Sequence, residues 1–322
     1  MPKIQDWDDY LGRLVRLRDL RVFFAVAQYG SMAKAATQLR VSQPAVSQVI
    51  ADLERAVDAK LLDRTRRGVE LTIFGRTLLA HARAAFDDLR QGVKEIEFLS
   101  DPTGGELRIG CPESLTSGFL IPVVQRLTER YPRLRLFVEH VVTPSSEVPQ
   151  LDDRKVDLVL ARLWPPVSAK DFRGTVEAEV LFNDGFSVVV DKHHPFARRR
   201  KLTIADLVEE RWISAPPESP GGRALTDAFR IRGLEPPKIA LATYSVSLRT
   251  HLASAERCVA AMPTSVLRLN AHFLPLKELP VDLSMPPWPV AAITPKHRTL
   301  NPAVPLFLDC ARFVARSMSN RT

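Results

Sequence analysis

The stretch from Leu20 to Thr72 constrains the fold more than any other part of this chain. Apolar residues at Leu20, Phe23, Phe24 and Ala27 recur at helical spacing. Tyr29-Gly30 ends that helix, glycine being best suited to the left-handed position that follows one. Ser31 is a candidate N-cap for a second helix with Met32, Ala35, Ala36 and Leu39 inward, the paired alanines allowing close helix approach. Arg40-Val41 makes a turn. Ser42 caps a third helix, and Pro44 falls in its first turn, where a missing N–H costs nothing. This helix buries Val46, Ile50, Leu53 and Val57, while Gln43, Ala45, Ser47 and Gln48 form a small, polar, uncharged face. A helix needing only solubility more often carries Lys and Glu there. Short side chains let a helix sit deep in a groove, and Gln pairs with the N6 and N7 edge of adenine. Two helices joined by a short turn, the second bearing such a face, make a helix-turn-helix.

Leu61-Leu62 and Val69-Leu71 read as two strands of a hairpin tipped by Arg66-Arg67-Gly68. A basic hairpin beside such a helix is a wing, suited to backbone phosphates or the minor groove. The run F-x-A-V-A-x-x-G-S-M-x-x-A-A-x-x-L-x-V-S-Q-P-A-V-S-x-x-I-x-x-L-E, followed by L-L-D-R-T-R-R-G-V-x-L-T-x-x-G, resembles the DNA-binding domain of LysR-type transcriptional regulators over roughly residues 18 to 80. Asp58 stands where that family usually has Gly, and Leu62 where it usually has Phe.

The 322 residues allow two or more domains, and the 45% hydrophobic content supports a sizeable core. The net charge of +8 favours an anionic partner, but the first hundred residues hold only a small basic excess, so the motif rather than the charge points to DNA. Cys111, Cys258 and Cys310 form no C-x-x-C pair and read as reduced thiols. The start MPKIQDWDDY is not a signal peptide, and no apolar run approaches the roughly 18 residues of a membrane span. The expectation is a cytoplasmic protein without membrane contact. Trp7, Tyr10, Leu11, Leu14 and Leu17 predict a short leading helix.

Leu78, Ala82, Ala85, Leu89, Gly92 or Val93, Ile96 and Leu99 alternate by three and four along a long helix after Phe74. One apolar stripe of this length most simply packs on a copy of itself, and the resemblance implies dimerisation through it. Ser100 to Gly105 reads as a hinge. Beyond it, strands near Leu107–Gly110, Leu134–Val142 and Val156–Leu160 alternate with helices at Phe119–Arg130 and Val148–Lys155, predicting a mostly parallel sheet. A second α/β unit starts near Val180, and the chain returns at Pro289–Ile293 and Val304–Arg316. The fold class is therefore multidomain. An all-α winged helix-turn-helix (1–74) and a linker helix with hinge (75–101) precede an α/β two-lobed effector domain (102–322), which the resemblance makes periplasmic-binding-protein-like. At the second crossing, where the family often has two glycines, this chain has Glu256 and Cys258.

The expected base-reading and DNA-contact set is Ser31, Ser42, Gln43, Pro44, Ala45, Ser47 and Gln48, with Arg64, Arg66 and Arg67 of the wing on phosphates or the minor groove. In open α/β sheets ligands bind at the carboxyl ends of strands. The candidates there are Ser114, Thr116 and Ser117 after the first strand, Ser145 and Ser146 after the second, Arg162 after the third, and Glu218 in lobe two. Arg162 could clamp a carboxylate. Arg198 to Lys201 reads as a solvated turn, and His193-His194 has no metal-ligand neighbours. Ser31-Met32-Ala33-Lys34 matches the short S-x-x-K pattern, but Ser31 is needed as a cap and no nucleophile, phosphate or dinucleotide motif accompanies it. The reading is a non-enzymatic regulator with no cofactor beyond a small-molecule co-inducer, expected to be anionic. Its partners would be double-stranded DNA, a homodimer or homotetramer mate, and RNA polymerase. The alternative is a small-molecule-binding module with secondary DNA contact.

Overall fold

The computed structural model describes residues 15–65, 68–101, 104–142, 148–164, 167–172, 174–255, 257–270, 273, 275–296 and 298–319. The leading helix expected before Leu17 lies almost wholly outside them. The chain divides into two compact units, Met1–Gly92 and Val93–Thr322.

In the first unit, helices α1 (Leu17–Tyr29), α2 (Met32–Leu39) and α3 (Gln43–Ala56) surround Phe23, Val26, Ala35, Ala36, Val46, Ile50 and Leu53. The inner face of α1 is wider than the sequence spacing suggested. Val22, Ala25 and Val26 are buried, and Ala27 is only half-buried. Local signals set the helix ends. Gly30 takes φ +60 and its N–H donates to the Val26 carbonyl. Ser31 and Ser42 accept from the N–H groups of Lys34 (3.4 Å) and Ala45 (3.3 Å). After α3 the chain turns through Asp58 at φ +50, the position where glycine was expected. A side chain costs about 1–2 kcal/mol there, and glycine loses about 0.5–1 kcal/mol of chain entropy on ordering. Asp58→Gly is therefore expected to stabilise the unit by about 0.5 kcal/mol, seen as a higher urea midpoint at unchanged slope. A lower midpoint would refute the strain assignment.

Strands β1 (Leu62–Thr65) and β2 (Gly68–Leu71) form the hairpin in antiparallel register. The Val69 N–H donates to the Gly30 carbonyl at 2.9 Å, tying the wing to the end of α1. Glu54 fixes its base, accepting from the N–H groups of Leu61 (2.9 Å) and Leu62 (3.3 Å) and from Lys60 Nζ (2.8 Å). Burial alone would raise the Glu54 carboxyl, but these donors outweigh it and hold it below the usual carboxylate value. Thr72 joins the wing to helix α4 (Ile73–Ser100). Its hydroxyl donates to the Lys60 carbonyl (2.6 Å) and accepts from the Gly75 N–H (3.0 Å).

The second unit holds two five-stranded sheets. In the first, β3 (Gly104–Cys111) pairs in parallel with β4 (Arg133–His140) and β5 (Leu158–Arg162). β12 (Trp288–Pro295) runs antiparallel to β5 and to β6 (Val176–Asp184). In the second, β8 (Arg211–Ser214), β9 (Lys238–Ala242) and β10 (Val259–Pro263) are parallel neighbours, while β7 (Phe186–Asp191) opposes β10 and β11 (Leu276–Glu278). The sheets are thus mixed rather than mostly parallel. Strands joined through helices run in parallel, but the strands that carry the chain between lobes run against their neighbours.

Lobe two begins at Phe186, not near Val180, because Val180 pairs with Ala291 inside the first sheet. Cys258 precedes β10 within lobe two, so the return crossing lies between β11 and β12 instead. Gly104 and Gly105 belong to β3 rather than to a hinge, and α4 continues through Ser100. The helix expected at Phe119 is π-wound from Thr116 to Leu120 before α5 (Ile121–Arg130). Pro122 has no N–H to give the preceding turn, which therefore winds differently. The helix expected over Val148–Lys155 is the single turn α6 (Pro149–Asp152). Lobe two adds α7 (Pro220–Arg230), α8 (Val246–Ala255) and α9 (Thr264–Asn270), and α10 (Ala303–Ser319) closes the chain against lobe one. The three cysteines are buried thiols outside any disulfide, and burial pushes the Cys111 thiol up to about 12.

Candidate functional site

Two surfaces gather the residues singled out in the sequence. The first is the start of α3. Ser42, Gln43, Pro44, Ala45 and Gln48 are exposed there, while Val46, Ile50 and Leu53 face the core. Gln48 Nε2 donates to Asp52 Oδ1 at 2.9 Å, leaving its amide oxygen to a partner. Ser47 is half-buried, with its hydroxyl 3.2 Å from the Met32 sulfur, so it faces α2 more than solvent. Ser31 is occupied as a cap. Arg64 occupies β1 opposite Val69, whereas Arg66 and Arg67 lie outside the described residues.

The second surface is a cavity of about 250 Å3 in the second unit. It opens at the carboxyl ends of β3, β4, β5 and β8, as the rule for open α/β sheets requires. Ser114 and Arg162 line it, but Thr116 and Ser117 do not. The Thr116 hydroxyl turns back to the Pro112 carbonyl at 3.3 Å. Glu218 is exposed and does not line the cavity; its neighbour Ser219 takes the wall position and caps α7 by accepting from the Gly222 N–H. Ser145 and Ser146 lie outside the described residues.

Arg162 is neither exposed nor free. It is fully buried, and its Nη2 lies 2.8 Å from Asp184 Oδ2. Burial pushes its guanidinium down, and Asp184 opposes this. Asp184 also accepts from the Ser265 N–H (3.0 Å) and hydroxyl (2.6 Å), capping α9. One carboxylate thus holds the end of β6, the end of β5 and the start of α9 together.

Sequence reasoning missed Arg249. It is buried on α8 beside Val246, Thr250 and Ala253, and it lines the cavity. Burial, opposed by Glu113 and reinforced by Arg162, lowers it to about 10, so it is charged at neutral pH. The available signal was an Arg at helical spacing on an otherwise small, apolar stripe. Glu113 was also missed. It follows β3 in lobe one, yet its Oε1 accepts from the α8 N–H groups of Val246 (2.8 Å) and Ser247 (3.3 Å) in lobe two. An anion at a helix start is favoured by the unpaired amides, and this one links the two lobes.

Known proteins resemble the chain in both parts. A family model described as bacterial regulatory helix-turn-helix protein, lysR family, matches residues 17–76, and one described as LysR substrate binding domain matches residues 100–316. The RuBisCO operon transcriptional regulator of Allochromatium vinosum is 33% identical over 219 residues, covering 68% of this chain and 70% of that protein. The uncharacterized HTH-type transcriptional regulator YdcI of Escherichia coli (strain K12) is 26% identical over 300 residues, covering 92% and 95%. The crystal structure of full-length CbnR complexed with its target DNA matches with a TM-score of 0.52 at 21% identity, covering 94% of this chain and 100% of that one, a likeness of fold.

Proposed function

This chain belongs to the LysR family of transcriptional regulators, with a helix-turn-helix DNA-binding domain and an effector-binding domain, and we propose that it reads an inverted-repeat site as a dimer or tetramer under the control of a small anionic effector. The observation that carries the reading is the start of α3. Its exposed side is Ser42, Gln43, Pro44, Ala45 and Gln48, and its far side is locked into the core. Gln43 and Gln48 read base edges, Ser42 and the wing arginines Arg64, Arg66 and Arg67 hold the backbone or minor groove, and Ser47 serves only if it leaves Met32.

Helix α4 supplies the mate. Leu89, Val93, Ile96 and Leu99 recur along it and are 52% to 79% exposed, an apolar stripe suited to a second copy. Residues 1–74, 75–101 and 102–322 would then serve as reader, linker and sensor. Effector in the cavity biases lobe closure, and with it the spacing of the paired recognition helices.

Replacing Gln43 with Ala removes a pair of hydrogen bonds worth about 1–3 kcal/mol of base discrimination. Selection from a random DNA pool, followed by competitive gel shifts, should show preference at one position of each half-site falling by about 5- to 150-fold. Retention of full site preference by the variant would refute the base-reading role.

A further inference from the structure

We propose that the cleft takes a small monocarboxylate with a flat apolar body about one ring in size, its carboxylate held between Arg162 and Arg249; this deepens the effector reading and rests on it. Arg162 spends only Nη2 on Asp184, while its buried Nε and Nη1 meet no acceptor among the described residues. Arg249 is 4% exposed. Its Nη1 reaches the Ala261 carbonyl at 3.3 Å, and its buried Nε meets none. The buried indole N–H of Trp164 likewise has no partner among the described residues. All three residues line the one cavity. Buried N–H groups are almost always hydrogen-bonded, so three sets of orphan donors on one cavity mark where an acceptor belongs. A guanidinium presents its donors in a planar fork that matches carboxylate oxygens.

The surrounding charge sets the ligand's charge. Asp184 answers Arg162. Glu113 acts on Arg249, but its Oε1 is engaged by the first amides of α8. The remaining titratable side chain on the wall is His140, together with the phenol of Tyr244. Two guanidiniums against two carboxylates balance formally, and a helix N-terminus adds about half a positive charge, so the site accommodates at most one negative charge. A dianion would bury an uncompensated charge.

Volume and walls set the body. The cavity, at about 250 Å3, is smaller than the roughly 300–1,000 Å3 of drug-sized sites. Trp164 and Phe186 form an aromatic wall with centroids 5.9 Å apart, and Trp288 braces both at 4.3 and 5.0 Å. Flat faces of this kind favour a planar partner.

Titration calorimetry on the full-length protein tests this with benzoate as probe. The comparators are benzamide (neutral and isosteric), cyclohexanecarboxylate (puckered), phthalate (dianionic) and sulfate. Benzoate is expected to bind at least tenfold more tightly than each comparator. Arg249→Met should weaken it at least tenfold, and Trp164→Phe, which keeps a ring and removes the N–H, about threefold or more. If Arg249→Met does not fold, by circular dichroism, Trp164→Phe and the comparator series decide. Benzamide, cyclohexanecarboxylate, phthalate or sulfate binding as tightly as benzoate, unchanged benzoate affinity in folded variants, or no binding by any probe would each overturn the proposal. Gel shifts of the ligand-free protein separate the two failures. Sequence-specific DNA binding without a carboxylate response overturns this inference alone, whereas loss of sequence-specific binding overturns the regulator reading beneath it.

Discussion

Asp184→Ala is expected to cost the C-terminal unit about 3–5 kcal/mol, because it strands the fully buried guanidinium of Arg162. Among the described residues, the Arg162 Nη2 to Asp184 bond at 2.8 Å is the one hydrogen bond that this side chain makes, as its Nε and Nη1 have no acceptor there. The same carboxylate caps α9 through the Ser265 N–H and hydroxyl. The loss should appear in denaturant unfolding as a lower midpoint for the C-terminal transition. Buried ion pairs have a second property that sharpens the test: replacing both partners with apolar groups is often neutral or stabilising, since both desolvation penalties vanish. Asp184→Leu combined with Arg162→Met should therefore recover most of the stability while abolishing any anion response. A single-variant loss below about 1 kcal/mol, or a double variant no better than the single, would show that the charges are not set against each other in the way the geometry indicates.

The uneven legibility of this chain follows from the range over which each signal acts. The first unit reads well because its signals span only a few residues. Ser31 and Ser42 do cap, Gly30 does take the left-handed turn, and Val46, Ile50 and Leu53 are the buried stripe of α3. Even the departure at Asp58 had a local meaning, since the residue occupies a positive φ. Ser47 misled because Met32, which holds it, lies in another helix. In the second unit the strands stand out as apolar runs, but their directions do not. A run such as that of β12 is buried in either orientation, and only its register with β5 and β6 makes it antiparallel. The cleft was least legible, because its polar groups are set by pairings such as Glu113 with Val246 across lobes. The loop near Glu218 reaches the cavity through Ser219. Which of its residues turned inward depended on the α7 cap, and that cap is Ser219.

Gly75→Ala and Gly92→Ala, two identical changes in the same helix, are expected to move stability in opposite directions. A Cβ on Gly75 would lie 2.1 Å from the Leu61 carbonyl oxygen and 3.0 Å from both the Leu61 carbonyl carbon and Leu71 Cδ2. That carbonyl cannot retreat cheaply. It accepts from the Thr72 N–H at 3.0 Å, and the N–H of the same residue is held by Glu54 at 2.9 Å. The helix and the base of the wing must therefore separate. Overpacking of this kind costs about 1–3 kcal/mol and occasionally more, and backbone against backbone belongs at the upper end. Gly92 has nothing within 4 Å of where its Cβ would stand, so alanine there should gain about 0.8–1.0 kcal/mol of helix propensity. Unfolding of the N-terminal unit should show a midpoint lowered by Gly75→Ala, with DNA affinity falling as the wing loses its seat. Gly92→Ala should hold or raise the midpoint and leave DNA affinity intact. If the two variants shift stability the same way, the close approach of Leu61 to α4 is not what glycine at position 75 provides.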